Sequence, residues 1–192
     1  MFYMGLDLGK MRDFAALAIV EQSDRGHLAV RYLERAALGT PYLRVVDRVA
    51  ELSRDRVLNG QCHLTVDATG LGVPVVESLR AAACGWRGMT GVTITGGDRA
   101  RQMPGYGMGE HWSVPRADLL GRLQVLLEKG ELTISRDMKE SRNLVRELIA
   151  MRARVSGLAD SSKEHDDLVL AVALACWQAS RAGIGFGNVR LF

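Results

Sequence analysis

Cysteine, proline and aromatic residues are all scarce in this 192-residue chain: three, four and 6% respectively. The cysteines, Cys62, Cys84 and Cys176, are odd in number, lack any CxxC spacing and sit in apolar stretches. They read as buried free thiols in a reducing, cytoplasmic setting, which excludes a disulfide scaffold. Long apolar runs are missing too. The longest, Leu168 to Trp177, is half of the roughly 20 residues a bilayer span needs, so no membrane partner is expected. Charge of one sign is not in excess: 25 basic against 22 acidic residues leaves +3, which permits an anionic partner without arguing for one. No targeting segment is visible, because Met4-Gly5-Leu6-Asp7-Leu8-Gly9 follows Met1 at once and reads as a first core strand. A phosphate loop of the form GxxxxGK[ST] is absent as well.

What remains is ordinary for a globular protein, 47% hydrophobic and 24% charged, enough for one domain with a sizeable core. Strands are expected over Phe2 to Leu8, Phe14 to Glu21 and Leu28 to Glu34, the last two joined by a hairpin turn at 23–26. A helix is expected from about Pro41 to Leu58, ended by Asn59-Gly60, then a strand from His63 to Asp67. Further helices are expected over 73–83, 115–129 and 139–154, with strands at Met89 to Thr95 and Glu131 to Ser135. Residues 96–112 carry five glycines, Arg99, Arg101, Tyr106, His111 and Trp112, and read as a long flexible loop or hairpin. The last helix is expected to open on the capping box Ser161-Ser162-Lys163-Glu164. An antiparallel start followed by strand–helix alternation predicts an α/β fold: a mixed sheet of five to six strands with helices on both faces. Residues 1–182 form the domain and 183–192 a tail.

The informative feature is where carboxylates interrupt apolar runs. Asp7 lies between Leu6 and Leu8, Asp67 follows Leu64-Thr65-Val66, and Asp166 and Asp167 stand before the most apolar helix. A buried carboxylate is costly unless its charge is compensated. Clustered acids around a divalent cation supply that compensation, and hard oxygen donors select Mg²⁺ or Mn²⁺. Two such ions about 4 Å apart can activate water and stabilise the leaving oxygen in phosphodiester hydrolysis. Each acid also has a plainer reading: a strand-end acid for Asp7, a turn residue before Gly70 for Asp67, ordinary first-turn helix acids for Asp166 and Asp167.

The segments Gly5-Leu6-Asp7-Leu8-Gly9, Val66-Asp67-Ala68-Thr69-Gly70-Leu71-Gly72, Val114-Pro115-Arg116-Ala117-Asp118-Leu119 and His165-Asp166-Asp167-Leu168-Val169, in that order, resemble the nuclease domain of phage terminase large subunits, a branch of the ribonuclease H-like fold. The resemblance covers about Met4 to Ala179. It implies a metal-dependent endonuclease that cuts double-stranded DNA during viral genome packaging, with the terminase ATPase domain, the small terminase subunit and the portal as partners. By motif, Asp7 would bridge the two metal ions, Asp67 would be the second ligand and Asp167, ahead of Asp166, the third. In the related Holliday-junction resolvases a further acid often follows one helical turn on, where this chain has Leu170, and the fourth strand usually carries Glu where this chain has Asp67. A packaging motor's phosphate loop is missing, so the reading is of a nuclease module, excised or stand-alone.

Lys10, Lys163 and His165 flank the acids and are candidates for contact with DNA phosphate, as are Arg99 and Arg101 on the glycine-rich segment. Asp13 reads as a turn residue. Arg142, Arg146, Arg152 and Arg154 read as a solvated face before a DNA track. Competing functions are a Holliday-junction-resolvase-like nuclease, an actin-like or sugar-kinase-like phosphotransferase using Gly5 to Lys10 as a phosphate loop, and a catalytically silent DNA-binding or assembly module.

Overall fold

The computed structural model describes residues 1–9, 14–70, 73–82, 85–105, 109–155 and 165–184. Eight strands form one sheet: β1 (Phe2–Asp7), β2 (Ala16–Gln22), β3 (Leu28–Arg35), β4 (Cys62–Asp67), β5 (Gly88–Thr95), β6 (Arg101–Met103), β7 (Glu110–Pro115) and β8 (Leu132–Ile134). Five helices accompany it: α1 (Tyr42–Ser53), α2 (Val73–Ala82), α3 (Arg116–Glu128), α4 (Ser141–Val155) and α5 (Asp167–Ile184). The strand order is β6-β7-β5-β4-β1-β2-β3-β8. β1, β4, β5 and β7 run parallel, and β2 is antiparallel to both β1 and β3. The C-terminal ends of four neighbouring strands therefore share one edge of the sheet.

The sheet has more strands than the five to six expected. The difference lies in the segment read as a long flexible loop or hairpin, where the structure has the hairpin. There β6 pairs antiparallel with β7, and β7 pairs parallel with β5 from Glu110 to Pro115. Glycine content masked the strand, because pairing and burial fix it where local propensity does not. Within this hairpin His111 is buried and bonds Thr93 Oγ1 through Nε2 at 2.8 Å. Trp112 packs edge-on to Trp177, with the Arg181 guanidinium 4.1 Å from its ring centre. His111 is thus turned into the sheet, and Trp112 packs partly buried against the core.

Alternation along β1 divides the interior in two. Met4 and Leu6 join Leu64, Val66, Val45, Val49 and Leu79 beneath α1 and α2. Tyr3 faces the other way, into a core shared with α3, α4 and the apolar body of α5. Each such buried Leu or Val contributes roughly 1.5–3 kcal/mol relative to exposure. Gly5 lies on the α5 side. A Cβ there would stand 1.8 Å from the Ala171 carbonyl oxygen, so only glycine lets α5 rest directly on β1. Asp7 is two residues on and shares that face by the period of two. Ala171 is one helical turn after Asp167. The backbone contact at Gly5 thus brings the start of α5 to the end of β1.

Two helix ends differ from expectation. α1 stops at Ser53, and Gly60 takes its positive φ in the following turn, with Val57 exposed and Leu58 buried. α5 starts at Asp167, later than the expected capping box, whose residues lie outside the described residues along with Cys84 and the tail from 185 onward. Its first amides are instead capped from another helix. Glu147 of α4 accepts from Leu168 N at 3.0 Å and Val169 N at 3.1 Å. Among the described residues no helix is long and apolar enough to cross a membrane.

Candidate active site

A cleft of about 370 Å³ opens at the C-terminal edge of the parallel strands. Asp7, Asp67, Asp166, Asp167, His165, Arg116, Thr69, Gly9 and Leu170 contribute to its walls. The sheet register explains the first pair: β1 and β4 run in parallel with Leu6 opposite Val66, so Asp7 and Asp67 end adjacent strands side by side. Asp167 opens α5, and Asp166 is the residue whose carbonyl accepts from Leu170 N at 2.9 Å, closing the first turn.

The turn after β4 is held tightly. Asp67 Oδ1 accepts from Thr69 N at 2.8 Å, Thr69 Oγ1 accepts from Ile94 N at 2.8 Å, and Gly70 adopts a φ of 73°. Asp67 therefore performs the turn function and faces the cleft with the same carboxylate. Asp167 is buried, and His165 Nδ1 stands 3.6 Å from its Oδ2. The His165 ring packs edge-on against Phe14, 4.8 Å between centres.

Asp7 is 5% exposed. Burial pushes its carboxyl well above the ordinary carboxylate range, and the negative charges of Asp67, Asp167 and Asp166 push it further, with Arg116 opposing. The fold thus concentrates carboxylates around a buried acid, and their charges disfavour its ionised form. A divalent cation would favour it, and the carboxylate oxygens suit a hard ion. Among the described residues no three of these side chains stand in a ready-made metal-holding arrangement; they line the cleft and act on Asp7 through their charge.

The fold has solved counterparts. The large terminase nuclease of the thermophilic phage G20c, solved with bound zinc, is 22% identical with a TM-score of 0.60, covering 93% of this chain and 81% of that one. The Mn-soaked human cytomegalovirus terminase nuclease domain is 15% identical with a TM-score of 0.59, covering 91% and 81%. The nuclease domain of the bacteriophage SPP1 large terminase, with bound Mn, is 12% identical with a TM-score of 0.54, covering 92% and 85%. This chain has the ribonuclease H-like fold of the terminase nuclease domains. No protein-family model matches the sequence, and no curated protein matches it.

Within that terminase-nuclease fold, the four acids singled out from the sequence line one cleft, as does His165. Leu170, at the place of a further acid, also lines it. Arg99 and Arg101 are exposed and outside the cleft wall, although Arg101 pairs with Ser113 near the same sheet edge. Lys10, Asp13, Tyr106 and Lys163 lie outside the described residues. Arg142, Arg146 and Arg152 are exposed on α4, while the Arg154 side chain lies outside the described residues.

Two important residues carried no functional weight in the sequence. Arg116, inside a quoted motif, reaches into the cleft and donates from Nη2 to Asp166 Oδ2. Glu147 is a buried acid that pairs with Arg35 and caps α5. Its signal was present: Leu144, Glu147 and Met151 share one face at spacings of three and four, so Glu147 interrupts an apolar stripe.

Proposed function

We propose that the protein is a metal-dependent endonuclease that hydrolyses phosphodiester bonds of double-stranded DNA, acting as the cutting module in viral genome packaging. The observation that carries this reading is the meeting of Asp7, Asp67, Asp166 and Asp167 in one cleft, around a buried carboxyl whose ionised form the other three disfavour. The terminase-nuclease fold supports it, as does the metal-bound state of its solved counterparts.

Asp7, Asp67 and Asp167 would hold the Mg²⁺ or Mn²⁺ ions. When bound, two such ions polarise the phosphoryl oxygen, lower the pKa of water and stabilise the leaving alkoxide. The chain's own part is placement. Rigid strand ends fix Asp7 and Asp67, the Asx turn at Thr69 fixes the orientation of Asp67, and α5 seated on Gly5 fixes Asp167. In the reaction the oxygen of a water bonds to phosphorus, one P–O ester bond breaks, and the leaving oxygen takes up a proton. Leu8 and Gly9 line the cleft beside the acids. Exposed Arg99 and Arg101 would meet flanking phosphates, without reading bases. An ATPase motor, a small terminase subunit and a portal are the partners this role implies.

The test is cleavage of supercoiled plasmid by the purified chain. With Mn²⁺ or Mg²⁺, nicked and then linear DNA is expected, and EDTA or Asp67→Ala abolishes it. Intact plasmid in Mn²⁺, or an Asp67→Ala protein that cuts as well as wild type, defeats the reading. ATP turnover by the chain alone would favour a phosphotransferase instead.

A further inference from the structure

Arg116 stands immediately after β7, whose last residue Pro115 lies beside Thr95 of β5 at the cleft edge. Among the described residues lining the cleft it is the one Lys or Arg. Strand end and helix start together hold its backbone, so the guanidinium is aimed by regular structure and not by a loop. One amino group donates to Asp166, yet 42% of the side chain remains exposed. A guanidinium has five N–H donors in a planar fork, so one bond to Asp166 leaves donors for a second anion. A cation beside a carboxylate-lined cleft is where the phosphate of a DNA strand must arrive.

The neighbouring acids differ in the same sense. Asp167 is buried at the first position of α5, and its charge acts on Asp7 more strongly than that of Asp166. Asp166 is 20% exposed and its Oδ2 is the oxygen that Arg116 engages. A carboxylate oxygen that holds a guanidinium would have to release it to coordinate a metal ion.

We propose that Arg116 is a catalytic residue that contacts the phosphate being cut, and that Asp166 is a positioning residue that holds its guanidinium and not a metal ligand. The inference rests on the reading of the cleft as a phosphodiesterase site. It divides the labour of the two adjacent aspartates: Asp167 faces the metal, Asp166 faces the arginine. The arginine stabilises negative charge that develops on the phosphoryl oxygens, a contribution that one preorganised donor makes at the level of about 10²–10³ in rate.

The experiment uses the intact chain with two readouts: Mn²⁺ binding by calorimetry without DNA, and plasmid cleavage kinetics with kcat and KM separated. Arg116→Ala is expected to keep Mn²⁺ affinity and lose about 10²–10³-fold in kcat. Arg116→Lys, which keeps charge and fold but loses the fork, is expected to recover only a small part of that loss. Asp166→Asn is expected to keep Mn²⁺ affinity while kcat falls and KM stays, and Asp167→Asn to lose Mn²⁺ binding. Cleavage by both Arg116 variants at the wild-type rate overturns the role of Arg116. Loss of Mn²⁺ affinity in Asp166→Asn as large as in Asp167→Asn makes Asp166 a ligand and overturns its positioning role. A wild-type protein that binds Mn²⁺ but leaves DNA intact defeats the nuclease reading and the Arg116 assignment with it. In that case the comparison of Asp166→Asn with Asp167→Asn still decides whether Asp166 is a ligand.

Discussion

Asp7 and Glu147 are both buried carboxylates, 5% and 6% exposed. Their surroundings are opposite. Glu147 meets Arg35, and one of its oxygens accepts from the amides of Leu168 and Val169. Its charge is matched by a guanidinium and by the positive end of a helix. Asp7 faces Asp67, Asp166 and Asp167, with Arg116 as the opposing charge. An acid whose charge is matched inside the fold belongs to the architecture. An acid packed among other acids marks a place built for a cation that arrives from outside. The distinction is electrostatic, since burial alone treats the two residues alike.

The sharpest way to break this comparison is to remove each acid. Asp7→Asn is expected to abolish metal-dependent cleavage while making the metal-free protein more stable above the raised carboxyl value, because it removes a group whose ionised form the site disfavours. Glu147→Ala is expected to cost about 3–5 kcal/mol in urea denaturation, since Arg35 is left mostly buried, 16% exposed, with its partner gone. If Asp7→Asn destabilises as Glu147→Ala does, both acids are structural and the cleft loses its special status.

Metal addition sharpens the contrast from the other side. Mn²⁺ at about 100 times its dissociation constant is expected to stabilise the wild-type protein by about 2.7 kcal/mol. The same addition is expected to leave Asp7→Asn and Asp167→Asn unmoved in thermal denaturation. Equal stabilisation of all three would place the cation elsewhere.

Gly5→Ala tests the contact that joins the two regions. The new methyl would meet the Ala171 carbonyl at 1.8 Å and the Ala175 amide nitrogen at 3.0 Å, so α5 has to lift from β1. A loss of about 1–3 kcal/mol is expected from such overpacking. Cleavage is expected to fall by about 10²-fold, the scale of a 1 Å misplacement of reacting groups. Wild-type cleavage in a destabilised Gly5→Ala protein would show that the acids do not depend on this seating.

The comparison also explains what the sequence made legible. Asp7 and Asp67 stood out because each ends an apolar strand, and strand order then set them side by side. Asp167 stood out because the most apolar helix follows it. Glu147 was hidden among the charges of α4, since its partner Arg35 is more than a hundred positions away and only the sheet brings it near. Arg116 was hidden for the same reason: its meaning depends on Asp166, fifty residues on. For β6 and β7 the local composition left loop and hairpin open, because pairing with β5 decides between them. Local pattern reveals elements and interrupted cores, whereas charge matching is a long-range property of the fold.

The smallest expected effect is also the most direct probe of Asp7. Its carboxyl is raised well above the ordinary Asp value of 3.8, first by burial and then by Asp67, Asp167 and Asp166. Between the ordinary value and the raised one, the native protein therefore holds a proton that the unfolded chain releases. Stability from this group is full below the ordinary value and is lost as pH rises through the raised one. In EDTA, the urea midpoint of wild type relative to Asp7→Asn is expected to decline with rising pH across that window. Saturating Mn²⁺ is expected to reverse the trend, because binding requires the ionised carboxylate and displaces its proton. A difference between the two proteins that stays flat with pH in EDTA would mean that the fold already matches the charge of Asp7. Asp7 would then join Glu147 as part of the architecture.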